Sequence, residues 1–357
     1  MSLLFQSANA QQAELAQQIF DLQFKRDKKI KNEYDDYRKK MMLRDIEYSL
    51  EFLDTSMRHQ SKSIFEDYAL WIVKFLIARM QDLHVTRVKQ HMVAHYQSTK
   101  EVLHQEYPEE KNKLAFYHLD HAIRITEETK VNPVVDDHYE TGIYGRYRQK
   151  YLGCLLNNDK HGAQKTIDEA IESGISLKEV YMEIFQKVMM KVGTLWHTGS
   201  ITVAEEHDCT AVTQSIMIHL WPMLYSQPRI QRTMIACCIG NELHEMGLRI
   251  LCDILEFYGW DTIYLGAAVP QESIIHSMLK HNPDMVALSV TIPLYLEQCR
   301  RTILAIRADD RFANVKVAVG GRAFHLASHL PQEWGVDISA ADGIELAEWA
   351  KKEYNIE

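Results

Sequence analysis

Apolar residues recur every three or four positions as far as Tyr225, and beyond Arg229 they form short unbroken runs separated by amphipathic stretches. The first habit belongs to helices, the second to strands that alternate with helices. From Ala10 to about Tyr37 the apolar positions are sparse and a charged, mostly exposed helix is predicted. Its basic stretch, Lys25 to Lys31, is interrupted by Asp27 and reads as a solvated face. Stronger periodicity follows in Asp45–Met57 and in Ser63–Arg79, where Phe65, Tyr68, Ala69, Ile72, Phe75 and Leu76 share one stripe. Further helices are expected over Val85–Tyr107, stopped by Pro108, and over Glu110–Lys130. No strand signal interrupts this region, so residues 1–135 are expected to form a helical domain ending near Val131–Val134.

Residues 136–227 predict a four-helix bundle, with helices at Asp137–Leu156, Lys160–Glu172, Leu177–Thr198 and Thr202–Leu220 and short turns between them. Thr202 and Glu205 have the spacing of a capping box. In residues 228–357 the strands expected are Thr233–Ile239, Thr262–Leu265, Met285–Val290, Val315–Val319 and Val336–Ser339. The helices between and after them are Leu248–Tyr258, Gln271–His281, Leu294–Ala308, Phe324–Leu330 and Gly343–Glu353. Short apolar strands alternating with helices imply a parallel sheet covered on both faces. The fold class is therefore α plus α/β: a helical domain, a four-helix bundle and a Rossmann-like doubly wound sheet. No G-x-G-x-x-G follows the first strand, which disfavours a dinucleotide.

Composition narrows the function. A net charge of -9 and a pI near 6.0 argue against nucleic-acid binding through overall charge. Neither a signal peptide nor an eighteen-residue apolar run is evident, so a cytoplasmic protein away from membranes is expected. The six cysteines lack zinc-type spacing and read as reduced thiols; Cys237 and Cys238, adjacent on a strand, should face opposite ways. His91 with His95, and His118 with His121, share helix faces, but without a third ligand they read as surface and interface histidines.

Chemistry concentrates in Glu242-Leu243-His244-Glu245-Met246-Gly247, between the first strand and its helix. Open α/β sheets bind ligands in such loops. Glu242 could hold one ring nitrogen of His244 and leave the other for a metal, while Gly247 would let the helix approach closely. Ser289-Val290-Thr291 follows after 41 residues, and Gly320-Gly321 after 28 more. These three pieces resemble the cobalamin-binding signature D-x-H-x-x-G, S-x-L, G-G, with Glu242 in place of Asp and Thr291 in place of Leu. The resemblance implies that His244 is the lower cobalt ligand and that Ser289, Gly320 and Gly321 make room for the displaced nucleotide tail.

In the bundle, Trp196-His197 and, after nine residues from the tryptophan, Glu206-His207 are similar to the upper pocket of CarH-type cobalamin photoreceptors. That resemblance implies Trp196 as a cap over the corrin, Glu206 and His207 as polar lining, and His197 as an upper cobalt ligand after illumination. His219 and Trp221, further along, read as packing residues. The helical N-terminal region lacks the MerR-type winged helix of such repressors, so no direct DNA binding is expected. Its architecture is similar to photocobilins, which implies a bilin such as biliverdin beside adenosylcobalamin or methylcobalamin.

The expectation is a light-sensing homo-oligomer without enzymatic activity, which signals to a downstream protein or enzyme. The alternatives are a corrinoid methyl carrier and a cofactor-free stress-signalling scaffold.

Overall fold

A computed structural model of the chain describes residues 8–130, 139–225 and 228–356. The chain divides into two units, Met1–Asn132 and Pro133–Glu357. The expected domain boundary at Val131–Val134, the beginning of the expected Asp137–Leu156 helix and residues 226–227 lie outside the described residues.

The first unit is helical: Ala8–Arg26, Asp36–Arg58, Lys62–Arg79, Val85–Glu106 and Glu109–Glu128, with one short helical turn at Ile30–Glu33. The single charged helix expected over 10–37 is corrected in two ways. It breaks after Arg26, and the second long helix starts at Asp36 because the Asp35 carboxylate accepts from the Arg38 N–H at 2.7 Å. It is also less exposed than its composition suggests, since Leu15, Ala16, Ile19 and Ile30 are buried.

The histidines of this unit are also corrected. His91, His95 and His118 are buried, not superficial. His91 lies between the Glu33 carboxylate at 3.0 Å and the Tyr34 hydroxyl at 3.1 Å, and His95 bonds Ser49 at 3.0 Å. Burial pushes the His95 imidazole down to about 4, so it is neutral at physiological pH.

The second unit opens with the bundle. Its helices are Gly142–Leu156, Lys160–Glu172, a continuous helical stretch over 177–197, and Val203–His219. Within the third, Val180–Phe185 forms a wider π-turn. Thr202 and Glu205 form the expected capping box, each side chain meeting the other's backbone N–H. The bundle core of Tyr151, Tyr181, Phe185, Val188 and Val192 extends onto Ile250 and Ile254 of the Met246–Phe257 helix, seating the bundle on the sheet domain.

At this seam the Tyr181 hydroxyl donates to the buried Asp253 carboxylate at 2.9 Å. Burial is the chief reason that the Asp253 pKa is pushed up to about 6. A folded-state value above the unfolded one means that the native state holds this proton more tightly. Its stabilising effect is complete below about pH 4 and is lost as pH rises through about 6. Asp253→Asn keeps an acceptor for Tyr181 and removes the charge. Thermal unfolding from pH 4 to 8 should therefore show a flatter profile than wild type, with the variant gaining relative stability at pH 7. An unchanged profile would refute this role.

The sheet has five parallel strands in the order β2-β1-β3-β4-β5: β1 is Thr233–Cys238, β2 Asp261–Gly266, β3 Met285–Ser289, β4 Lys316–Gly320 and β5 Ile338–Ser339. Helices Met246–Phe257, Gln271–His281, Leu296–Arg307 and Gly343–Glu353 connect or follow them. The expected helix at 324–330 is instead two short ones, Arg322–Leu326 and Leu330–Glu333, with Pro331 inside the first turn of the second. Cys238 joins the core that includes Cys252, whereas Cys237 lies near Cys299, so the pair does face opposite ways. Among the described residues no helix is long and apolar enough to cross a membrane.

Candidate functional site

The chain reverses its winding direction between β1 and β3, which are neighbours although β2 separates them in sequence. At such a switch point the loops leaving the two carboxyl ends diverge and open a crevice. Cys238, Ser289 and Gly320 stand in register there at the ends of β1, β3 and β4. The structure thus brings Ser289 and Gly320 beside the loop that carries Glu242 and His244.

Glu242 does not do what its spacing suggested. Its carboxylate is buried and accepts two backbone N–H groups from the loop after β3, Thr291 at 2.8 Å and Ile292 at 2.7 Å. Its distance to His244 Nδ1 is 4.0 Å, too long for a hydrogen bond. The side chain therefore fixes one loop of the crevice to the other. Burial pushes its pKa up to about 7, against the pull of those two N–H bonds. His244 itself projects outward, with 60% of its side chain exposed. The surrounding protein nevertheless lowers its pKa, while the charge of Glu206 acts in the opposite sense.

Glu206 and His244 belong to the two expected halves of the site. Glu206 comes from the bundle helix Val203–His219, accepts from the Thr210 hydroxyl at 3.1 Å and lies 3.4 Å from the exposed His207. The same helix reaches the His244 loop through Gln214, whose amide donates to Glu245 at 3.2 Å. Trp196 is half-buried against the bundle core and His197 is half-buried beside it. His219 is corrected: its side chain is 52% exposed and lies 3.9 Å from Asp168. Trp221 does pack, with the Arg249 guanidinium 4.9 Å from its ring centre.

The glycines divide by what surrounds them. A Cβ on Gly321, at φ +95°, would come within 2.4 Å of the Val290 carbonyl oxygen, and one on Gly320 within 3.0 Å of that of Ala340. A glycine is required by the packing at 321, whereas at 320 a side chain would be tight. Around Gly247 and Gly193 a Cβ would meet nothing within 4 Å, so Gly247 does not serve a close approach within the chain. Gly240, which no motif spacing marks, is as constrained as Gly321: at φ +87° a Cβ there would strike the Tyr295 ring at 2.2 Å. An isolated glycine at a strand end could have signalled it.

Among the described residues no three His, Cys, Asp or Glu side chains converge on a metal-sized site. A single outward imidazole serves as the protein's ligand when a macrocycle fills the other positions on the metal. The donor set and the open space at Gly247 fit such a group, with His244 offering the nitrogen and Ser289 a hydroxyl.

Residues 232–347 match the B12 binding domain family, and residues 147–220 match a second B12 binding domain family. Fold, crevice and these matches support one class: a cobalamin-binding protein. Within it, the chain is 27% identical over 201 residues to the HTH-type transcriptional repressor CarH of Myxococcus xanthus. The match covers 53% of this chain and 66% of that protein. It is also 21% identical over 194 residues to trimethylamine corrinoid protein 1 of Methanosarcina acetivorans, covering 54% of this chain and 87% of that one. The solved monomethylamine corrinoid protein of Methanosarcina barkeri shares the fold. It has a TM-score of 0.52 at 18% identity, over 58% of this chain and 98% of that one.

Proposed function

We propose that this chain is a cobalamin-dependent light sensor, not an enzyme, which passes a change in its bundle to a downstream protein. Bound adenosylcobalamin or methylcobalamin would supply the photochemistry, a cobalt-carbon bond that light breaks. The observation that carries the reading is the bundle set Trp196, His197, Glu206 and His207, of which Glu206 and His207 stand on the helix that reaches the His244 loop through the Gln214–Glu245 hydrogen bond. His244 would hold the cofactor from the sheet edge and Ser289, Gly320 and Gly321 would border its tail. Trp196 would exclude water above it, with Glu206 and His207 lining that side. His197 would offer a nitrogen donor in one state and not the other, and a sensor needs such a differential contact. A bilin such as biliverdin is proposed as a second chromophore, on the resemblance of architecture alone.

The test is the absorption spectrum of cobalamin-loaded protein, with and without biliverdin, before and after illumination. His197→Ala should bind cobalamin like wild type and lose the two-histidine spectrum after light. An unchanged lit spectrum would remove His197 from the proposal. The second reading, a corrinoid methyl carrier, draws on the match across 87% of a trimethylamine corrinoid protein. Methyl transfer to a thiol in the dark, without any light response, would decide for it.

A further inference from the structure

The Lys62–Arg79 helix carries large apolar residues on its outer side as well as on its inner one. Its inner side, with Phe65, Tyr68, Ala69, Ile72 and Val73, is buried in the N-terminal unit. Asp67, Leu70, Trp71, Lys74, Phe75 and Ala78 follow helical spacing along the opposite side. Leu70 and Trp71 are each 36% exposed. Trp71 and Phe75 form a flat aromatic wall, their rings stacked at 5.1 Å with an 8° tilt, and the Arg79 guanidinium lies over Phe75 at 5.2 Å. The apolar surface continues across the Glu66–His121 pair to Tyr117, 46% exposed, and Leu114, 41% exposed, on the Glu109–Glu128 helix.

We infer that this outer face docks against the same face of a second copy of the chain, the two helices antiparallel about the Leu70–Trp71 midpoint. The chemistry of this face is palindromic. Asp67 lies three residues before Leu70 and Lys74 three residues after Trp71. A two-fold axis at the midpoint therefore sets Asp67 against the partner's Lys74 twice and lays Leu70 on the partner's Trp71. It also pairs the small Ser63 with Ala78, so the helix ends can approach. An interface of this kind, self-complementary in charge, is what two-fold symmetry requires. An unrelated partner would need no such symmetry. The inference requires no cobalamin and is independent of the light-sensing proposal.

Sedimentation or light scattering of the full cofactor-free chain over a concentration series tests it. The wild type should form a dimer or larger even-numbered oligomer. Trp71→Glu should raise its dissociation constant by about tenfold or more, the equivalent of about 1.4 kcal/mol. Asp67→Lys and Lys74→Asp should each weaken it, and the double charge swap should restore it, with unchanged circular dichroism throughout. Recovery in the double variant cannot come from a merely structural role, and it keeps the test decisive if Trp71→Glu misfolds. A monomeric wild type, or a double variant no better than the single ones, would overturn the inference.

Discussion

Replacing His244 by Ala should weaken cobalamin binding by at least about a hundredfold, because groups one bond further from a metal already change affinity by about ten- to a hundredfold. The remaining bound cofactor should lack the spectrum of a protein-nitrogen lower ligand. Folding should be nearly untouched, since 60% of the side chain is exposed. Equilibrium titration with cobalamin, alongside thermal unfolding, separates the two effects. A variant that binds like wild type with the same spectrum would show that His244 is not the ligand, whatever the light response.

Glu242→Ala should act in the reverse manner, on the fold before the cofactor. It leaves the N–H groups of Thr291 and Ile292 without their acceptor. An N–H left unsatisfied costs about 1–3 kcal/mol when fully buried, and these two are only part-buried, so about 1–3 kcal/mol is expected in total. The carboxylate is itself disfavoured by burial, with its pKa near 7, which moves the net effect toward the lower end. Glu242→Gln keeps one acceptor oxygen and should lie between the two. Urea unfolding measures the series, and equal stability of all three proteins would show that this bridge contributes nothing. Loosened loops should also weaken cobalamin binding, but less than the loss of His244.

The same residue shows how far a motif can be read. The spacing from Glu242 to Ser289 and Gly320 indicated a ligand edge, and the sheet does place those elements side by side. It also suggested a carboxylate-imidazole pair, because two residues apart in a loop look like neighbours. In the fold the longer Glu side chain reaches backbone N–H groups 49 and 50 residues away. Two good hydrogen bonds hold it there, 4.0 Å from the imidazole.

Periodicity and punctuation are local properties, and the features that depend on them were legible in the sequence. These are the helical first region, the bundle with its Thr202 cap, the alternating strands and helices and the motif loops at strand ends. The sheet order, the burial of His91, His95 and His118, the demand of Val290 for a glycine at 321 and the reach of Gln214 to Glu245 were not. Each is settled by groups distant in sequence, where packing, desolvation and unsatisfied N–H groups outweigh local preference. The sequence by itself determined that the Glu242–His244 loop, Ser289 and Gly320 come at the ends of strands, and these strands are neighbours in the sheet. Only the tertiary structure decided that Glu242 ties its two loops together while His244 is left facing outward.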